Sequence, residues 1–191
     1  FIPLAEETDL IIPMGRIIIK EACQQLKQWH DTIPGADRLT MNINISTKQF
    51  MDGELTSIIL KAIKENQLPP ESLILEITES LLIRKAKSMI SKLTVLKDHG
   101  LSVVLDDFGT GYSSLNYLKD FPVNTLKIDQ AFVANLGCES GNSIVRAILA
   151  LATALNLDVV AEGVETHEQA DFLTRHHCNI LQGFLLAKPI P

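Results

Sequence analysis

Residues Thr40 to Ser46 alternate strictly, with Met41, Ile43 and Ile45 on one parity and Asn42, Asn44 and Ser46 on the other. That period of two is the pattern of a strand with one buried face. Five further segments read as strands: Leu73–Glu79, Ser102–Asp107, Thr125–Asp129, Asp158–Glu162 and Asn179–Gly183. Between them the apolar residues recur at helical spacing. The pattern predicts helices over Arg16–His30, about Glu54–Asn66, Leu81–His99, Ser143–Asn156, and from Thr166 to about His177. Pro13 is read as punctuation before the first helix, Pro34-Gly35 and Pro69-Pro70 as loops, and Gly100 as a helix stop. Ser46 with Gln49, and Thr166 with Gln169, have the spacing of capping boxes.

Strand and helix thus alternate with the length of a βα unit, roughly 20–35 residues. Alternation of this kind implies an α/β fold with a parallel sheet. About six parallel strands in one domain over residues 1–191 point to most of a TIM-like (β/α) barrel, with a doubly wound open sheet as the alternative.

Side-chain parity along the strands places the chemistry. The apolar set is Ile43/Ile45, Leu75/Ile77, Val103/Leu105, Leu126/Ile128, Val159/Ala161 and Leu181. The opposite parity carries Asn44, Glu76, Asp106, Lys127, Glu162 and Gln182, one polar residue near the C-terminal end of every strand. A solvated rim would not need this regularity, and in a TIM-like barrel the C-terminal strand ends carry the functional residues. Asp107 has the wrong parity for the same side and can join only if the backbone flares after Leu105. The glycine loop that follows, DDFGTGYSS with Gly109, Thr110 and Gly111, allows backbone conformations that other residues reach only with strain.

Composition narrows the chemistry. Net charge is −6 with no block of Lys or Arg, which argues against a duplex nucleic-acid partner. Hydrophobic residues make up 46% of the 191 positions, so the chain folds around a core. Cys23, Cys138 and Cys178 are far apart with no CxxC, as suits a reducing compartment. The most apolar run, Ile144 to Val160, is interrupted by Arg146, Thr153, Asn156 and Asp158 and is no membrane segment.

Three inward carboxylates, with Asp107 and Asp129 nearby, cannot all stay ionised unaided, and Lys127 offsets only one charge. The donors are carboxylate and amide oxygens, and no histidine lies at a strand end, so Mg2+ or Mn2+ fits better than zinc. Two such ions, about 3.5–4 Å apart, are the usual apparatus for in-line phosphodiester hydrolysis. Asp106 or Asp107 can bridge them. Lys127 can hold the attacking water or stabilise charge on phosphoryl oxygens, or serve only as a counter-ion.

At this point whole segments resemble a known family. FIPLAEETDLI, NINIS, LEITES, DDFGTGYSSLNYLKDFPVNTLKID, VVAEGVE and QGFLLAKP are similar, in order and spacing, to the EAL domain of bacterial phosphodiesterases, which cleave cyclic di-GMP to linear pGpG. DFG by itself also occurs in kinases, but no kinase Gly-rich loop or HRD segment is present. The resemblance implies that Asn44, Glu76 and Asp106 bind a first metal, and that Asp106 and Asp107 share the second with Glu162 as ligand or water-orienting base. It implies a place for Lys127 at the attacking water and for Glu79 as support of the loop from Phe108 to Ser114. Gln182, Glu165 and Asp129 match positions around metals and substrate.

It further implies that the Glu-Ala-Leu signature and the first two strands of the family barrel precede Phe1, with sensory or GGDEF domains as possible upstream neighbours. Gln130 and Phe184 stand where the family pattern has Arg and Tyr. The expectations are therefore an EAL-type cyclic di-GMP phosphodiesterase using two Mg2+ or Mn2+ ions, active in the parent protein and weak or inactive over residues 1–191 alone, cytoplasmic, with a tendency to dimerise or self-associate. The alternative is a non-catalytic sensor that binds cyclic di-GMP or a protein partner.

Overall fold

The computed structural model describes residues 1–79, 81, 86–109, 118–178 and 180–190. Thr110 and Gly111, the start of the predicted Leu81–His99 helix after Leu81, and Asn179 at the head of the sixth predicted strand lie outside them. The fold class is α/β, with six parallel strands in one sheet in chain order, as expected from the repeating βα pattern. The chain divides into two compact units, Phe1–Val103 and Val104–Pro191.

In the first unit, α1 (Ile2–Glu7) precedes the long α2 (Ile11–Thr32). Helix α2 begins five residues earlier than the sequence pattern suggests, because Pro13 lies in its first turn. There the missing N–H would have had no partner in any case. Ile11, Gly15, Ile19, Cys23 and Leu26 form its buried stripe. Strand β1 (Met41–Ile45) runs parallel to β2 (Leu73–Thr78), from Met41 opposite Leu73 to Ile45 opposite Ile77. Ile43, Ile45, Leu73, Leu75 and Ile77 are buried, the apolar parity read from the sequence.

Strand β1 ends in the predicted capping box. The Gln49 N–H donates to Ser46 Oγ at 3.3 Å, the Ser46 N–H donates to Gln49 Oε1 at 2.7 Å, and α3 (Thr47–Met51) follows. Gly15 admits the Gln49 side chain, since a Cβ on Gly15 would overlap Gln49 Nε2. The unit is completed by α4 (Leu55–Glu65) and α5 (Ala86–Asp98), and Gly100 follows with φ +91°, a conformation glycine adopts at no cost.

In the second unit, β3 (Ser102–Phe108, shared with the first unit at its start), β4 (Thr125–Ile128), β5 (Asp158–Ala161) and β6 (Ile180–Leu181) are parallel neighbours. Two helices depart from expectation. Asp129 does not end the fourth strand; it caps a short helix, α6 (Gln130–Ala134), by accepting the Ala131 N–H at 2.8 Å. Helix α7 (Glu139–Ala154) starts four residues before Ser143 because the Cys138 thiol serves as its cap, accepting from the Gly141 N–H at 3.4 Å. The Thr166–Gln169 capping box opens α8 (His167–Arg175) as predicted. None of the described helices is long and apolar enough to cross a membrane.

Candidate metal and phosphodiester site

The ends of β3, β4 and β5 assemble a cluster in the second unit. Strand β3 carries one residue more than β4 between paired positions: Leu105 lies opposite Leu126, but Phe108 lies opposite Ile128. This is a β-bulge, and Asp107 within it adopts φ +54°. The bulge supplies the flare that parity demanded. It turns Asp107 onto the same side as its neighbour, so that Asp106, Asp107 and Glu162 bring one carboxylate oxygen each within 4.8 Å of one another. The Asp107 N–H also donates to Asp106 Oδ1 at 3.0 Å.

Lys127 stands among these acids. Its Nζ lies 2.6 Å from Glu162 Oε1 and 3.2 Å from Asp106 Oδ1, and the residue is only 5% exposed. One ammonium faces three carboxylates, and the surplus appears in Asp107. Burial first, then the charges of Asp106 and Asp129 and a hydrogen bond with Asp129, hold its carboxyl above the usual range; Lys127 opposes them only in part. An oxygen-only donor set with unbalanced negative charge is what a hard divalent cation neutralises, so the residues fit such an ion.

In the first unit, Asn44 lies directly across from Glu76 in the β1–β2 register. Glu76 is 5% exposed and accepts a hydrogen bond from Asn42 Nδ2 at 2.7 Å, while Asn44 is exposed. Asn42, Asn44, Glu76 and Thr78 line one wall of a groove of about 930 Å³. Asn42 is the residue that sequence reasoning passed over. It shares the parity of Asn44 two positions on, which is the signal that could have marked it as the group orienting Glu76. Glu79 is buried just past the end of β2.

The other expected residues are not members of the three-carboxylate group. Glu165 is exposed, and its backbone N–H donates to Gln169 Oε1 at 2.8 Å. Gln182 is exposed just past β6, its N–H bonded to the Ala161 carbonyl at 2.8 Å. Gly109 follows the bulge with φ +95°. Glu162 also falls one residue beyond its strand, yet its N–H still bonds to the Ile128 carbonyl at 3.1 Å, which keeps it in line with Lys127.

Comparison with known proteins adds the family. A sequence model described as the EAL domain matches residues 1–189. MucR of Pseudomonas aeruginosa, a bifunctional diguanylate cyclase/cyclic di-GMP phosphodiesterase, is 46% identical over 192 residues, covering all of this chain and 28% of that protein. The cyclic di-GMP phosphodiesterase PdeR of Escherichia coli is 41% identical over 192 residues, again covering all of this chain and 29% of the relative. The chain therefore spans less than a third of the length of these curated relatives. The solved structure of the P. aeruginosa MucR phosphodiesterase in complex with c-di-GMP superposes with a TM-score of 0.94 at 45% identity, covering 100% of this chain and 77% of that one.

Proposed function

Because the chain belongs to the EAL domain family, we propose that it hydrolyses cyclic di-GMP to linear pGpG with the help of two divalent cations, Mg2+ or Mn2+. The observation that carries this reading is the cluster of Asp106, Asp107 and Glu162 around the buried Lys127. A module that only bound the dinucleotide would have no use for a strained backbone that adds a further carboxylate to a cluster already short of positive charge.

Asp106, Asp107 and Glu162 would hold the metal, with Asn44 and Glu76 as the further ligands that the family resemblance implies. Bound there, divalent ions supply Lewis-acid polarisation of the phosphoryl oxygens and lower the pKa of a water. Lys127 ties Asp106 and Glu162 together at fixed separation, and its ammonium offers donors to a phosphoryl oxygen as charge builds. Glu162 orients the attacking water and accepts its proton. The water oxygen bonds to phosphorus, the P–O3′ bond breaks, and the released 3′ oxygen takes up a proton.

The remaining expectations extend this reading: loop support by Glu79, Gly109, Thr110 and Gly111, substrate contacts near Asp129, Glu165 and Gln182, a cytoplasmic setting, self-association, and sensory or GGDEF partners. The test is chromatography of cyclic di-GMP after incubation with the purified protein, with Mg2+, with Mn2+ and with a chelator. Metal-dependent appearance of pGpG is expected. Tight binding of the intact dinucleotide with no product under any metal would favour the sensor instead.

A further inference from the structure

The short helix α6, which the sequence pattern did not announce, touches the strand ends that carry Asp107 and Glu162. Its cap, Asp129, shares a hydrogen bond with Asp107. Its third residue, Phe132, presses its ring against Gly109, two residues beyond Asp107. A methyl group added to Gly109 would come within 2.9 Å of Phe132 Cε2 and 3.1 Å of Cζ. Ile148 closes the same spot, 3.8 Å from that methyl position. On the other side, Gln130 packs against Gly163, the residue after Glu162, where an added methyl would meet Gln130 Cβ at 2.6 Å. The helix is itself held by Gln169, whose Nε2 donates to the Val133 carbonyl at 3.2 Å.

Both glycines have positive φ, +95° at Gly109 and +67° at Gly163, so the backbone on each side is bent around this helix. Asp107, at φ +54°, pays for the same bend without a glycine's freedom. Such a conformation persists only when its surroundings over-determine it, and the aromatic ring under Gly109 supplies that constraint.

We propose that Phe132 is a positioning residue for the metal cluster: its ring fixes Gly109 and thereby holds Asp107 in the left-handed conformation that brings its carboxylate to Asp106 and Glu162. This deepens the reading given above and rests on it. Phe132 touches no reacting atom, so its effect is exerted through Asp107.

The test is Mn2+ affinity by electron paramagnetic resonance on the purified chain, which needs no turnover, together with thermal melting. Phe132→Ala should weaken Mn2+ binding about 10–100-fold, the usual cost of losing support behind a metal ligand. Phe132→Leu, which keeps most of the volume, should recover part of it. Val133→Ala, in the same helix at a fully buried position, should lower the melting temperature and leave Mn2+ affinity unchanged. If Phe132→Ala fails to fold, the comparison of Phe132→Leu with Val133→Ala decides. Unaltered affinity in the Phe132 variants, or equal loss in Val133→Ala, overturns the inference. Absence of Mn2+ binding by the unmodified chain would instead overturn the metal reading itself.

Discussion

Among the described residues, two places set one cation between two carboxylates. In the first unit, Arg16 meets Asp52 at 2.9 Å and Glu54 at 2.8 Å. In the second, Lys127 meets Glu162 at 2.6 Å and Asp106 at 3.2 Å. The Arg16 side chain is 44% exposed and that of Lys127 is 6%. Water screens the first group. The second is largely buried and carries a third carboxylate, Asp107, brought in by a bulge and a left-handed backbone. The aspartates record the difference. Asp52 is held below the usual carboxylate range, chiefly by the Glu54 N–H and, against some desolvation, by Arg16. Asp107 is pushed above it by burial and its acidic neighbours. The same ingredients give a surface clasp in one place and an unbalanced, ion-seeking site in the other.

The largest effect that separates them is on turnover. Lys127→Ala should lower kcat for cyclic di-GMP by about 10²–10³-fold, the scale of removing a group that stabilises developing charge. Substrate affinity should change little, because that interaction strengthens chiefly in the transition state. Arg16→Ala should leave kcat unaltered. Near-normal kcat in Lys127→Ala, measured at saturating metal and substrate, would reduce Lys127 to another clasp.

Next in size is metal affinity. Asp107→Asn removes the carboxylate that the fold keeps under strain, so Mn2+ binding should weaken by more than tenfold. The metal-free protein should melt higher, because like-charge repulsion and the burial of an ion are both relieved. A titration of Mn2+ against melting temperature reads both quantities. A lower metal-free melting temperature in Asp107→Asn would mean that the cluster is balanced as it stands.

The two aspartates should also drive stability in opposite directions with pH. A carboxyl raised on folding binds more protons folded than unfolded, so in metal-free protein the Asp107 contribution falls as pH climbs above the unfolded value, 3.8. A carboxyl lowered on folding binds fewer, so the Asp52 contribution is present above 3.8 and is lost as pH drops through its folded value. Denaturant midpoints of Asp107→Asn and Asp52→Asn, each measured against the unsubstituted chain with chelator present, should therefore separate with opposite slopes. Parallel slopes would contradict the assigned environments.

Much of this contrast was legible in residue order, and what was not has local causes. Alternation in NINIS and LEITE fixes which side chains share a face, because a one-residue slip would bury the asparagines. Asp107 was read as out of phase, and that conflict is the trace a bulge leaves in a sequence; whether the chain bulges depends on its tertiary setting. Helix α6 is five residues long, too short for a 3.6-residue period to show. Asp129 continued the polar alternation of TLKID and so passed for strand. Cysteine is a rare helix cap, and the apolar run of α7 begins only at Ile144, so the pattern placed its start at Ser143. Asn42 carried its signal openly, but which asparagine meets Glu76 depends on inter-strand register, which a single chain does not spell out.

The smallest predicted effect tests the quieter member of the pair. Arg16 reaches Asp52 and Glu54 from the second turn of α2, and Asp52 follows α3, whose capping box closes β1. If the clasp were essential to that corner, its loss would loosen α3 and be felt in the whole unit. Two observations say otherwise. The corner has a second tie, Lys92, whose Nζ donates to the carbonyls of Phe50 at 2.9 Å and Asp52 at 3.1 Å. Gln49, meanwhile, is buried against Gly15 whatever Arg16 does. An exposed, screened ion pair with such neighbours contributes little. Arg16→Met, which keeps the apolar stem and drops the charge, should therefore shift the melting temperature by no more than about 4 °C, and 0.5 M salt should erase most of that shift. Lys92→Met should cost more and respond less to salt, because it strips two carbonyls of their donor. A salt-insensitive loss in Arg16→Met as large as that in Lys92→Met would show that the surface group, too, holds its part of the fold in place.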